Sequence, residues 1–457
     1  GSRNTVLGYS ALSTEDTGNK AVAIGWKALL NQNYNGDSYN VAIGYEAGQG
    51  ITTGIRNVII GGLAGDALTT GNQNIAIGYN ALTTEDAGGY NVAIGGHALE
   101  TQDAGDAYNV AIGYYAGKSV STGVQNIIIG GLAGDALTTG SHNIAVGHLA
   151  LSTEDEGSKS IAIGKNALRL QNNDGDNYNI GIGHNAGENV STGTVNTIIG
   201  GLAGDALTTG NNNTAIGYNA LGAEDAGDRN VAVGNNALSS MNIGGGDHYN
   251  TAVGYNAGIN ITTGPRNTIL GGNAADALTT GQRNTAIGTF ALGGDTTGNY
   301  STAIGYNTLA SQNFTSNEDT YNTAVGYNAG QQVTTGVQNT LIGGLAGDAL
   351  TTGNSNIAMG YNALTNETQG DRNVALGFQA LQSQNNTSST DSYNAAVGYN
   401  AGNNVTTGSQ NTLIGGLAGD ALTTGSNNVA VGRSALSAEQ EGSRNTAIGY
   451  AALLRQN

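Results

Sequence analysis

Residues 74–81 read NIAIGYNA and residues 40–47 read NVAIGYEA. The frame is an asparagine, a β-branched residue, a small residue, an aliphatic residue and a glycine. It returns from Gly8 to Gly449 without a gap, usually every 17 residues. With that glycine as position 0, position −1 is aliphatic in all 26 units and position −3 is β-branched in all but one, Ala395. Position −4 is asparagine except at Ala21, Ser160 and Ser301, and position +3 is alanine except at Thr308. Apolar residues at −3 and −1 around a small residue follow the period of a strand, and a β-branched residue at −3 suits a pleated strand better than a helix. Each unit is expected to hold a short strand, a bend at the glycine, a second short strand near the alanine, and a turn back. A glycine at +10 (Gly18, Gly54, Gly71, Gly88) closes every unit but one recurring type, as expected where the backbone must reach positive φ. One such unit buries nothing alone. Stacked units do, so the expected fold is all-β: a parallel β-solenoid, or β-roll, of about 26 rungs of 17–21 residues. At ~4.8 Å per rung the rod would be on the order of 125 Å long.

A single continuous solenoid is expected over residues 1–457. The block GGLAGDALTTG recurs every fourth unit and marks four-rung sets at 5–74, 75–143, 144–213, 214–284, 285–356 and 357–428, with a partial set at 429–457. Within a set, two units carry leucine at +4 (Leu12, Leu29). The other two carry glycine there and an aliphatic residue at +7 (Ile51, Leu68). The unit pattern itself supplies no reason for a set of four. All length variation falls in the turn of the second unit, as in NQNYNGDSYN and ASQNFTSNEDTYN, which places those turns on an exposed edge. The chain starts and stops inside repeats, so it is expected to be a piece of a longer protein.

Composition narrows the function classes. Glycine is 76 residues and proline 1, which fits neither collagen nor a flexible linker. A net charge of −18 argues against nucleic acid and anionic membrane as partners. There is no cysteine, and no apolar run long enough to span a bilayer, so no membrane insertion is expected of this segment. No catalytic constellation is legible, and an enzyme is not expected. The five histidines (His97, His142, His148, His184, His248) occupy unrelated frame positions, and Gly113–Ser119, GYYAGKS, is one residue short of a phosphate loop.

Two recurring groups could carry binding. Every long turn ends Asp-x-Tyr-Asn, giving Asp37/Tyr39, Asp106/Tyr108, Asp176/Tyr178, Asp247/Tyr249, Asp319/Tyr321 and Asp391/Tyr393. Tyrosine beside carboxylate and amide groups can hold sugars by ring contact and hydrogen bonds; the plainer use is a packed, capped turn. The second group is the aspartate after GGLAG or its variant: Asp66, Asp135, Asp205, Asp276, Asp348 and Asp420. These are turn residues, or else they hold a structural Ca2+ or other cation where three chains meet on an axis. No other cofactor is expected.

Strand alternation puts −3 and −1 on one side, a continuous aliphatic stripe too large to leave exposed on a monomer. It lies inside a wider coil, or several chains pack their stripes together. A 17-residue rung is short for a wide coil, which favours association around an axis parallel to the rod, with three-fold symmetry. The unit Asn-x-Ala-Ile-Gly-x-x-Ala, at Asn40–Ala47 and Asn74–Ala81, resembles the head repeats of trimeric autotransporter adhesins. The longer form NTAIGYNAL (Asn213–Leu221) with a TTG turn (Thr208–Gly210) resembles repeats of phage tail-fibre and related surface proteins, often found before an endosialidase-type self-cleaving chaperone. The resemblance covers essentially the whole chain, although the unit here is longer than the adhesin repeat. It implies a left-handed roll that trimerises with itself, located extracellularly on a cell surface or virion. The function it implies is a structural fibre or shaft for attachment to a host or surface. A module that binds glycan or host-surface protein through the long turns is the alternative, and an ice-binding solenoid a further one.

Overall fold

The computed structural model describes residues 1–454. Regular structure is entirely β: 26 three-residue strands, one per unit, with four two-residue strands in the turns and no helix among the described residues. The chain divides into two compact units, Gly1–Arg229 with Gly244–Asp247, and Asn230–Ile243 with residues from His248 onward. The first carries the strands from Thr5–Leu7 to Thr214–Ile216, the second those from Val231–Val233 to Thr446–Ile448. Within each unit successive strands pair in parallel and in frame, as Val41↔Val58, Ala42↔Ile59 and Ile43↔Ile60 do. Both units are therefore parallel β-solenoids, with about 26 turns between them.

Each rung closes around a narrow lumen. Position −2 points in and is buried in every rung after the first; positions −3 and −1 point out and are half-buried to exposed. The two walls come close at +3, and −2 is alanine or glycine in most rungs; one rung in four instead fills the lumen from −2 with a buried isoleucine or leucine, as Ile59 and Leu341 do. At Gly181, in position −2, an added Cβ would lie 3.2 Å from the Ala186 carbonyl oxygen of the opposite wall.

Two expectations about the backbone need correction. The segment around the +3 alanine is not a second strand but a run of turns, because positions +2 and +4 are left-handed: Lys27 and Leu29 have φ of 55° and 50°. Such φ values are incompatible with an extended chain. Rung-to-rung hydrogen bonds persist there all the same, from Lys27 N–H to Tyr9 O at 2.9 Å and from Gly48 N–H to Ala64 O at 2.9 Å. A left-handed leucine is strained by about 1–2 kcal/mol, and full burial of its side chain in the lumen holds it in place. The +10 glycines are not at positive φ either; Gly54 and Gly71 are absent from that conformation. They are glycine because a Cβ on Gly54 would run into the carbonyl of Gly71 in the next rung. Position 0 combines both demands, with φ near 135° and the next rung's glycine carbonyl against it.

The −4 asparagine ties this together. Asn126 Nδ2 donates to Gly140 O at 2.9 Å, closing its own rung, and its Oδ1 accepts the N–H of Asn143 in the next rung at 2.9 Å. The ladder along this column thus runs through backbone groups. Ala21, Ser160 and Ser301 all fall in rungs whose long turns lack the +10 glycine carbonyl that Nδ2 would bond. Asn91 sits in a long-turn rung that keeps a glycine at +10, Gly105, yet its Nδ2 has no partner. Asn126→Ala would orphan a buried carbonyl and a buried N–H, costing on the order of 2–5 kcal/mol. The expected result is a lower urea midpoint and faster amide exchange at Asn143. An unchanged midpoint would remove the ladder from the stability of the rung.

Candidate functional site

Each long turn ends in an exposed tyrosine. These six tyrosines, at position −5, are all left-handed, with φ of 48–54°, and about half exposed. As expected from the sequence, tyrosine and aspartate meet: the hydroxyls of Tyr39, Tyr178, Tyr321 and Tyr393 donate to Asp37, Asp176, Asp319 and Asp391 at 3.2–3.4 Å. Asp106 instead accepts the Gly89 N–H at 3.0 Å.

The sequence reading missed what covers these pairs. The −5 residue of the preceding rung lies over five of the tyrosines and, at the sixth turn, reaches the aspartate. Lys20 Nζ is 2.7 Å from Asp37 and 4.7 Å from the centre of the Tyr39 ring. Lys159 repeats this over Asp176 and Tyr178, at 2.7 Å and 5.1 Å. Arg229 pairs with Asp247, and Arg372 with Asp391 and over Tyr393. Tyr90 stacks on Tyr108 at 4.8 Å, and Tyr300 on Tyr321 at 5.3 Å. The hydrogen bond from Lys20 holds the Asp37 carboxyl below its usual range, and that from Lys159 does the same for Asp176. The hydrogen bond to Asp319 raises the Tyr321 hydroxyl. One side of Tyr39, Tyr108, Tyr178, Tyr321 and Tyr393 is thus already engaged within the chain, which is the packed, capped use of the motif. Beside one turn, an open cavity of about 380 Å³ is lined by Phe314, Thr315, Ser316, Glu318, Thr335 and Val337.

The GGLAG-type aspartates Asp66, Asp135, Asp205, Asp276, Asp348 and Asp420 are half-buried, and burial pushes each carboxyl up. Glu46 beside Asp66 and Glu188 beside Asp205 add to this. Within each unit successive members stand four rungs apart, roughly 19 Å at the strand spacing, so two members of one unit cannot share a single ion. Among the described residues the one carboxylate group close enough to share a cation is Glu85, Asp86 and Asp103, within 4.8 Å of one another.

A buried polar column at +7 was also missed. Rungs with leucine at +4 carry a carboxylate or an amide at +7, and rungs with glycine at +4 carry Ile, Val or Leu there. Met241 is the exception at +7, and Ala275 replaces the +4 glycine beside Leu278. In the lumen Glu154 accepts the Gly157 N–H at 2.7 Å and Gln171 Nε2 at 2.8 Å, and Gln171 Oε1 accepts Asn179 Nδ2 at 2.9 Å. Asp295, Gln312 and Asn322 repeat the relay with a Gln312–Asp295 bond of 2.6 Å and an Asn322–Gln312 bond of 2.9 Å. This gives the four-rung set a physical content: two rungs with a polar lumen, then two with an aliphatic one. The alternation was legible in the sequence, but its inward direction was not. Burial raises the carboxyls of Glu85, Glu154 and Asp295. At Glu15 burial also acts upward, but hydrogen bonds from Gln32, Gly18 and others outweigh it and hold the group low.

The chain matches no known family model, and no curated protein matches it.

The raised carboxyls set a pH dependence. A folded-state pKa above the unfolded value means stability that is full below the unfolded value, 4.5 for Glu154, and is lost as pH rises through the folded one. Acidification from about pH 7.5 to about pH 5 should therefore raise the urea midpoint, and Glu154→Gln should flatten that rise. A midpoint that falls steadily over the same range would show that the surface pairs outweigh the lumen.

Proposed function

We propose that this chain is the shaft of a homotrimeric surface fibre, a left-handed roll on a cell surface or virion that carries or supports attachment to a host or surface. The carrying observation is the outward face. Positions −3 and −1 do not enter the lumen, so each unit shows thirteen rungs of partly exposed aliphatic side chains, with Ile43 36%, Ile127 41% and Ile414 42% exposed. The +1 tyrosines beside them, such as Tyr45 and Tyr399, are 53% and 58% exposed. Such a face exceeds the ~300–600 Å² of the largest patch on an ordinary monomer. A second copy of the chain, bearing the same stripe, is the partner that matches it along its length. Three-fold symmetry rests on the likeness to adhesin heads, and so does the extracellular location. The reading assigns no catalytic role.

Native mass measurement should give about three times 45.8 kDa. Two neighbouring substitutions separate the faces. Ile112→Asp, on the outward face, should dissociate the assembly while costing one chain only about 1 kcal/mol. Ala111→Asp, in the lumen, should unfold its rungs by burying an unpaired carboxylate. A stable, soluble monomeric parent sinks the proposal.

One observation favours the ice-binding reading as a second. Six successive rungs, Thr251 to Thr340, carry threonine at −3, all pointing outward. Thermal hysteresis in the parent that disappears in a Thr285→Tyr variant would support it; no hysteresis in the parent disposes of it.

A further inference from the structure

Position −5 separates charge along the chain. Its residues in the first unit include Arg3, Lys20, Arg56, Lys159 and Arg229, and in the second Arg266, Arg283, Arg372 and Arg444. These are nine of the 15 lysines and arginines, in a chain with 33 Asp and Glu, yet no carboxylate occupies the column. Eight tyrosines do. The long turns account for four of the cations, Lys20, Lys159, Arg229 and Arg372, which pair with turn aspartates. They do not account for Arg266 and Arg283. These two lie on successive rungs, in frame with the paired Thr268↔Thr285, and both are exposed. Neither has an ion pair among the described residues; Arg283 bonds the Tyr300 hydroxyl and lies 5.3 Å from that ring's centre. Like charges side by side on neighbouring rungs repel. Between Asp247 and Asp295 the sole carboxylate is Asp276, in another column. Pro265, the only proline, immediately precedes Arg266 and fixes the backbone that presents it. Beyond Arg283 follow the stacked rings of Tyr300 and Tyr321, 5.3 Å apart.

We propose that the row Tyr249–Arg266–Arg283–Tyr300–Tyr321 binds a segment of acidic polysaccharide. Five rungs span roughly 19 Å at the strand spacing. Guanidinium forks take carboxylate or sulfate groups in paired hydrogen bonds, and the tyrosines offer ring surface to the sugar. A polymer whose charges are spaced by sugar rings suits a chain of net charge −18. The dense phosphate charge of nucleic acid does not. The proposal rests on the attachment reading above and gives it a ligand class.

The test uses the full chain on surfaces bearing heparin, polygalacturonate or dextran, with duplex DNA as competitor. The variant is Arg266→Gln/Arg283→Gln, since glutamine already occupies this column at Gln73 and Gln338, both left-handed. The parent should bind one or both acidic glycans and not dextran, more weakly as salt rises. The variant should lose about tenfold or more in affinity. An Arg433→Gln control, outside the column, should stay within about twofold of the parent. Absence of parent binding, equal binding to dextran, equal binding by the variant, or tighter binding to DNA each overturns the proposal. Native mass of the same sample separates the two readings. A trimer that ignores acidic glycans overturns the glycan row alone, and a monomer that binds them overturns the fibre alone.

Discussion

The amide of the −4 asparagine serves two neighbours from one buried side chain. Its nitrogen closes its own rung onto the +10 glycine carbonyl, and its oxygen holds the first N–H of the next strand, as in Asn57 with Gly71 and Asn74. Both partners are backbone groups sealed from water, so neither can be left unpaired cheaply. This fixes the rung height and the rung's width together. The glycines follow from it. At that height the backbone of one rung passes so close to the next that positions 0 and +10 have no room for a Cβ.

A lumen this narrow admits only a few fillings. One is a left-handed leucine at +4 with a polar residue at +7, as in Leu82 with Glu85. The other is glycine at +4 with an aliphatic residue at +7, as in Gly48 with Ile51. An added Cβ on Gly48 would meet Ile51 Cδ1 at 2.9 Å and Leu29 Cδ2 at 3.2 Å, so the two fillings compete for one volume. The polar filling is stable because its carboxylate, amide and asparagine satisfy one another in sequence, in keeping with the need of buried polar groups for partners. Two rungs depart from these fillings: Leu238 sits with Met241, whose Sδ accepts Asn250 Nδ2, and Ala275 takes the place of the +4 glycine beside Leu278.

Everything the lumen excludes is turned outward. The −3 and −1 columns and the aromatic +1 column form an apolar face, while the −5 column carries cations and tyrosines. Separation of these columns follows from their fixed frame positions, since each residue stacks on its counterpart one rung away. Stacking is also what engages the turn tyrosines: a −5 residue inside a unit lies next to the −5 residues of its neighbouring rungs, as Tyr39 lies next to Lys20.

The strand at −3 to −1, its parallel stacking, the exposed long turns and the tyrosine–aspartate contacts were legible in the sequence, because a short repeat states its period 26 times and period alone determines which residues stack. The sequence also held the alternation at +7, though nothing local distinguishes an exposed glutamate from one such as Glu154 that lies wholly in the lumen. Burial depends on how far the opposite wall approaches, and that is a tertiary quantity. The same holds for the +10 glycines, whose reason is a carbonyl 17 residues away in Gly71 for Gly54, and for the left-handed Leu29, whose strain is offset only by the lumen it fills. Repetition specified the stacking; the distance between stacked backbones decided what each position could hold.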